Sequence, residues 1–196
     1  MCSIGGRFSD RNETKVMRSF TLLLFFAACL ATYYVFGPRP VEAVTAAPLP
    51  LAVRQAKGEA FFAHTFKQFG SNKTSLSPLK GRPLIAYFWA TWCAECREEA
   101  IALMALQQRH GQDGLAVVAI GVDQSDKLAD FVREHQINYP VYVAGQAGID
   151  LSKRMGNLLG ELPYAVAIDR RGDFAGQRLG RHAQDTLEKL AAVALQ

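Results

Sequence analysis

An α/β sandwich, a mixed central β-sheet flanked by helices, is the fold class that the 196-residue sequence predicts, and three observations carry it. Leu84 to Ala90 and Leu115 to Val122 are continuous apolar runs, as strands buried on both faces would be. Each is followed by a segment of helical period, Cys93 to His110 and Ser125 to His135. The chain then closes with two strand-like stretches across a polar turn and a last helix, which calls for antiparallel pairing beside the parallel core.

From the N-terminus, residues 1–19 carry Arg7, Arg11, Lys15 and Arg18 and read as a cytoplasmic segment. Phe20 to Phe36 is a run of seventeen residues without a charge. As a helix it spans ~25 Å, enough for a slightly thinned bilayer, so residues 20–36 are expected to be a single-pass anchor, N-in and C-out. Two alternatives stay open: signal cleavage after Val44-Thr45-Ala46, and a lipoprotein site at Phe26-Ala27-Ala28-Cys29. Pro38, Pro40, Pro48 and Pro50 mark Gly37 to Arg54 as a semi-extended spacer, with a linker over 37–56 and a domain over 57–196.

Within that domain, Phe61 to Leu79 reads as a strand, a turn at Gly70-Ser71-Asn72 and a second short extended segment. Strand Leu84 to Ala90 leads into the helix Cys93 to His110, where Cys96, Ala100, Leu103 and Leu106 share one face and Gly111 ends the run. After Leu115 to Val122 and Ser125 to His135 come a short strand, Tyr139 to Val143, and a short helix, Gly148 to Gly156. Tyr164 to Ile168 and Phe174 to Leu179 form a hairpin, and a helix from Asp185 to Leu195, capped by Asp185, closes the chain.

Composition excludes several function classes. The net charge is +4, and residues 37–196 carry only +2, too little for nucleic acid to be the main partner. Hydrophobic residues make up 49% and charged residues 20%, which excludes a disordered chain. Of the four cysteines, Cys2 and Cys29 precede the domain; Cys29 reads as a small membrane-buried side chain. Cys93 and Cys96 are too close in sequence to staple distant parts of a fold. Two cysteines two residues apart, opening a helix directly after a buried strand, are a redox signal. Unpaired N–H groups and the helix dipole favour thiolate at the first of them. Cys93 is therefore expected to be the nucleophile and Cys96, one turn deeper, the resolving thiol. A zinc site would need about four ligands, and no second cysteine pair or close histidine pair exists.

The run Leu84 to Arg97, ending in Trp89-Ala90-Thr91-Trp92-Cys93-Ala94-Glu95-Cys96-Arg97, resembles the active-site strand and helix of membrane-anchored thioredoxin-like proteins of the TlpA, ResA and CcmG type. Leu76 to Gly81, Gly121-Val122-Asp123 and Leu162-Pro163 leading into Ala167 to Asp173 agree with that family in order. The resemblance implies a thioredoxin-like fold with a central strand-helix insertion, for which Ser125 to Val143 is long enough. It implies a cis peptide at Pro163 facing the cysteine pair, and a role for Trp92, Leu162 and Pro163 in binding an extended substrate segment by strand addition. Glu99 occupies the place of a family glutamate three residues after the second cysteine. On a helix it lies 60° from Cys96 and one turn below it, where it could shuttle protons to the resolving thiol. Glu98 points the other way, toward solvent. Glu95 and Ile101 stand where relatives have proline, and Tyr87 where thioredoxin has a buried acid.

The function expected is that of a periplasmic, membrane-tethered thiol-disulfide oxidoreductase, acting as a reductase and needing no metal or cofactor beyond its Cys93-Cys96 disulfide. The resemblance implies disulfide-containing periplasmic partners, such as apocytochrome c or the copper-site subunit of an oxidase. It also implies a membrane thiol carrier of the DsbD/CcdA type as electron donor. Two other functions fit the cysteine pair less well. A peroxiredoxin-like peroxidase would have Pro and Thr where this chain has Ala86 and Ala90, and copper-delivery proteins of this type space their cysteines by three residues. His64, His110, His135 and His182 are scattered and read as surface or cap residues, and Arg171-Gly172-Asp173 as a hairpin turn.

Overall fold

The computed structural model describes residues 49–71, 75–112, 114–181 and 184–196. The expected anchor, Cys2, Cys29, the spacer before Leu49, Asn72 and His182 lie outside them. Among the described residues no helix is long and apolar enough to cross a membrane.

Helix α1 (Leu51–Phe62) is followed by β1 (Lys67–Gln68), a single turn of tight helix (Ser77–Leu79), β2 (Leu84–Trp89) and α2 (Ala94–His110). Then come β3 (Ala116–Gly121), α3 (Ser125–Glu134), β4 (Val141–Val143), α4 (Gln146–Met155), the hairpin β5 (Tyr164–Ile168) and β6 (Phe174–Leu179), and α5 (Gln184–Ala194). The six strands form one sheet in the order β1-β4-β3-β2-β5-β6, with β2-β3 and β3-β4 parallel and the remaining pairs antiparallel. The mixed sheet is the one expected, and the segment from Ser125 to Val143 supplies the inserted helix and strand.

Every residue of β2, β3 and β5 is buried, because both faces of the sheet are covered. Side chains alternate across the pleat. Ile85, Tyr87 and Trp89 point into one core with Cys96, Ala100, Leu103 and Leu106 of α2, Leu128 and Phe131 of α3, and Leu187 and Leu190 of α5. Leu84, Ala86 and Phe88 point into the other, with Phe61 and Phe62 of α1 and Leu151 and Met155 of α4.

Three boundaries differ from the sequence expectation. Residues 51–62 are a helix, where the spacer was expected to run to Arg54 and a strand to begin at Phe61. Pro50 stands just outside the first turn, where its missing N–H costs nothing, so the proline-rich stretch ends without blocking the helix. Phe61 and Phe62, which read as the start of a strand, are the apolar end of that helix. Asp185 does not cap the last helix but lies inside its first turn, paired with Lys189 at 3.3 Å. Tyr139 precedes β4 rather than opening it, its ring turned into the core and its hydroxyl donating to the Ala100 carbonyl at 2.6 Å.

Helix α1 is fastened to the β5-β6 turn. Arg54 donates from Nε to the Phe174 carbonyl at 2.7 Å and pairs with Asp169, and Lys57 lies 4.3 Å over the Phe174 ring. Gly58 sits directly on the turn: a Cβ built there would fall 1.8 Å from the carbonyl oxygen of Gly172. That oxygen belongs to backbone, so relief requires the helix or the turn to move. Gly58→Ala is expected to lower stability by about 1–3 kcal/mol. Urea denaturation of the full chain measures it, and an unchanged midpoint would mean that α1 shifts at no cost.

Candidate active site

The site lies where the C-terminal end of β2 meets the start of β5. Phe88 pairs with Tyr164, so Leu162 and Pro163 enter the sheet beside the point where β2 leaves it. Four residues past Trp89, Cys93 has extended backbone angles and forms the N-cap of α2. Its Sγ accepts the backbone N–H of Cys96 at 3.2 Å, one of the N–H groups that a helix start leaves without a partner. Cys93 and Cys96 are joined in a disulfide, Cα to Cα 5.2 Å. Cys93 keeps 8% of its surface exposed and Cys96 none, the difference in depth that the helical spacing predicts.

The turn carrying the pair is held from two sides. Asp123, just beyond β3, accepts the Thr91 backbone N–H at 2.9 Å and the Thr91 hydroxyl, while Arg97 donates to the Thr91 carbonyl at 3.2 Å. Burial of Asp123 opposes its ionisation, but the bonds from Thr91 and the Gln124 N–H outweigh that and hold its carboxyl below the usual range. Between Thr91 and Cys93, Trp92 stands 68% exposed. An indole in water beside a redox pair is a surface feature that association with another molecule would cover.

Leu162-Pro163 is a cis peptide, as the resemblance implies. Leu162 is half-buried against both cores, and the first holds the two cysteines. Asn157, itself buried, donates to the Glu161 carbonyl at 2.7 Å and accepts the Glu161 N–H at 3.1 Å, fixing the loop that leads to Leu162.

The glutamates separate as the helical angles predict. Glu95 is exposed, and Glu98 is exposed and paired with Arg181 at 2.9 Å. Glu99 is 3% exposed, beneath the pair. There it neighbours the phenol of Tyr87, which stands where thioredoxin has a buried acid. Tyr87 is fully buried, donates to the Cys96 carbonyl at 3.1 Å and lies near enough to Glu99 for the carboxyl to act on its phenol. Tyr139 braces the same helix at Ala100. Burial comes first among the causes that push the Tyr87 phenol far up, with the neighbouring Glu99 adding to it. Tyr87 therefore stays neutral at any ordinary pH. Two signals in the sequence point to it: it stands where thioredoxin has a buried acid, and a phenol in a fully buried strand demands a partner.

Three of the four histidines, and the turn at Arg171, lie among the described residues. His64 bonds the Ala60 carbonyl, His110 pairs with Glu188, and His135 ends α3 against Phe131. Arg171-Gly172-Asp173 is a turn folded around Asp169. Among the described residues no three His, Cys, Asp or Glu side chains cluster as metal ligands would.

Comparison with known proteins agrees with this geometry. Residues 58–177 match the model of the AhpC/TSA family. The chain is 28% identical over 117 residues to the thiol-disulfide oxidoreductase ResA of Bacillus anthracis, covering 59% of this chain and 65% of that protein, so it spans just under two thirds of that relative. It is 34% identical over 129 residues to the thioredoxin-like protein YneN of Bacillus subtilis, covering 64% and 72% of the two chains. A crystal structure of a thiol:disulfide interchange protein of the thioredoxin family from Chlorobium tepidum superimposes with a TM-score of 0.57 at 27% identity, covering 63% and 88%. The fold is thioredoxin-like.

Proposed function

The chain belongs to the AhpC/TSA family, and from that premise we propose that it is a thiol-disulfide oxidoreductase that reduces protein disulfides outside the cytoplasmic membrane. The observation that carries this reading is the disulfide at a helix start, with one sulfur reachable and the other sealed. In the dithiol form, the helix N-terminus and the Cys96 N–H stabilise a Cys93 thiolate. That thiolate attacks a partner disulfide, forming a mixed disulfide and releasing the partner's first thiolate. Cys96 then attacks the Cys93 sulfur, its proton passing to Glu99, and the partner leaves with the second electron pair. Trp92 offers an aromatic anchor. Leu162, beyond the last β2-β5 pair, offers backbone to an extended segment, with Pro163 holding it beside the sulfurs.

The reaction needs no metal or cofactor. The apolar, charge-free run 20–36 behind four basic residues supports tethering to a bacterial inner membrane with the domain in the periplasm. On that reading the partners are periplasmic disulfide proteins, among them apocytochrome c or the copper-site subunit of an oxidase. Electrons would come from a membrane thiol carrier of the DsbD/CcdA type. A peroxidase is disfavoured by Ala86 and Ala90, which replace the proline and threonine such a site uses.

Direction follows from charge. An ionised Glu99 beneath the pair opposes the Cys93 thiolate and so destabilises the dithiol; Glu95, exposed, contributes little. Each ~1.4 kcal/mol of such destabilisation lowers the midpoint by ~30 mV. The midpoint is expected nearer ~−270 mV than ~−120 mV. A dithiothreitol titration of the full chain tests this. Glu99→Gln should raise the value and Glu95→Gln should hardly move it, and a wild-type midpoint above about −150 mV would overturn the reductase direction.

A further inference from the structure

The loop that delivers Leu162 to the site begins with a feature that the exchange steps do not use. The Gly160 N–H donates to the Asn157 carbonyl at 2.9 Å, closing a β-turn whose two corner residues are Leu158 and Leu159. They stand 81% and 79% exposed, more than any other large apolar side chain among the described residues. Turn corners are ordinarily glycine, proline, asparagine, aspartate or serine, which shape the backbone and leave nothing apolar in water. Leucines bring no such gain, and these two lie outside both cores.

The turn is fixed from beneath. Besides its two bonds to Glu161, the buried Asn157 donates from its backbone N–H to the Ser152 carbonyl at 3.0 Å and from its amide to the Ser152 hydroxyl at 3.2 Å. Gly160, at a φ of 71°, lies on α4, where a Cβ would fall 2.8 Å from the Ile149 side chain. The leucines are therefore held out before any partner arrives, and covering them orders no further backbone.

Their position ties them to the sulfurs. Strands β2 and β5 are antiparallel with Phe88 opposite Tyr164, so the loop before Tyr164 and the turn after Trp89 lie at one end of the sheet. Leu159 precedes Leu162 by three residues, at most about 11 Å of chain, which an extended partner segment lying along Leu162 also crosses in about three residues. Only Cys93 is reachable, so a disulfide partner has to settle on this end. The exposed charges beside the turn are of both signs, Lys153 and Arg154 against Glu161, and the surface left to recognise is apolar.

We infer that Leu158 and Leu159 are a specificity-determining contact for disulfide exchange: they seat apolar side chains that a partner protein carries about three residues from its reacting cysteine. The inference rests on the reading of the chain as a protein thiol-disulfide oxidoreductase and names the kind of segment that it selects.

The test uses the reduced full chain and two synthetic peptides, each with a single cysteine capped as a disulfide with nitrothiobenzoate. One peptide has leucines about three residues to either side of the cysteine; the other has glycine and serine throughout. The Cys93 thiolate attacks the peptide's sulfur, the bond to the cap breaks, and the coloured nitrothiobenzoate leaves with the electron pair. Cys96 then displaces the peptide as its thiolate. Release that remains in Cys93→Ser, from the other cysteines, is subtracted. The wild type is expected to react about tenfold faster with the leucine peptide. Leu158→Ser combined with Leu159→Ser should bring the ratio near one, whereas Val53→Ser, which removes an exposed apolar side chain from α1, should leave it as it is. Equal wild-type rates with the two peptides, or a ratio that survives the double substitution, overturn the inference and leave the oxidoreductase reading standing. Release from neither peptide overturns both. A preference that fades as the chain is concentrated would show a second copy covering the turn and would also refute the inference.

Discussion

Cys96→Ser is expected to accumulate covalent complexes with partner proteins, Cys93→Ser to accumulate none, and both to lose disulfide turnover by more than about 100-fold. The argument is one of depth. Cys93 retains 8% exposure at the helix start, whereas Cys96 is sealed, so an incoming disulfide reaches only the first sulfur. A serine at position 96 has no sulfur with which to displace the partner, and the mixed disulfide persists. Non-reducing electrophoresis of cells quenched in acid, with identification of the trapped chains, checks the assignment and would name the substrates. Equal trapping by the two variants, or more from Cys93→Ser, would reverse the roles.

The largest expected loss of stability follows removal of a carboxylate far from the sulfurs. Asp169 directly follows β5 with its side chain 4% exposed, and its two oxygens organise the whole turn. Oδ1 accepts the backbone N–H of Arg171 at 2.9 Å and of Asp173 at 3.0 Å; Oδ2 accepts from the Arg171 guanidinium at 2.8 Å and faces Arg54 of α1 at 3.4 Å. Asp169→Ala strands two backbone donors and unpairs α1 from the turn, an expected cost of about 2–4 kcal/mol. Burial alone would raise the Asp169 carboxyl; the Arg171 side chain and the Asp173 and Arg171 N–H groups outweigh it, so the folded value lies below that of the unfolded chain. The contribution is therefore present in full above about pH 4 and is lost as pH falls through the depressed folded value. Urea midpoints of the wild type and of Asp169→Asn, followed from about pH 7 to about pH 3, should converge at the acid end. A constant gap between them would show that charge plays no part.

What the sequence made legible followed from strong local signals. The buried strands read correctly because they are unbroken apolar runs, and the cysteine pair because a helix start next to a strand end is a specific chemical setting. Helix α1 did not read, because its apolar residues are crowded at one end and its support is tertiary: Gly58 against a backbone oxygen and Arg54 against Asp169, partners more than a hundred positions away. At the site, Glu99 was placed by angle on its own helix. Tyr87 stands where thioredoxin has a buried acid, but its bond to the Cys96 carbonyl, like that of Tyr139 to the Ala100 carbonyl, is visible only once β2 and the segment before β4 lie under α2. Asp123 stood in a recognised run, Gly121-Val122-Asp123, but its hold on Thr91 is visible only once β3 lies beside β2.

The fastening of α1 has a mechanical consequence. Asp169 and Gly172 lie at the end of the sheet where β2 begins, while the sulfurs lie past the end where it finishes, about 20 Å away along a six-residue strand. Whatever precedes Leu51 is thus attached at the pole opposite the reactive one. A pull on Leu51 is borne by Arg54, Lys57 and the seat of Gly58, and reaches the sulfurs only through the whole length of the buried central strands.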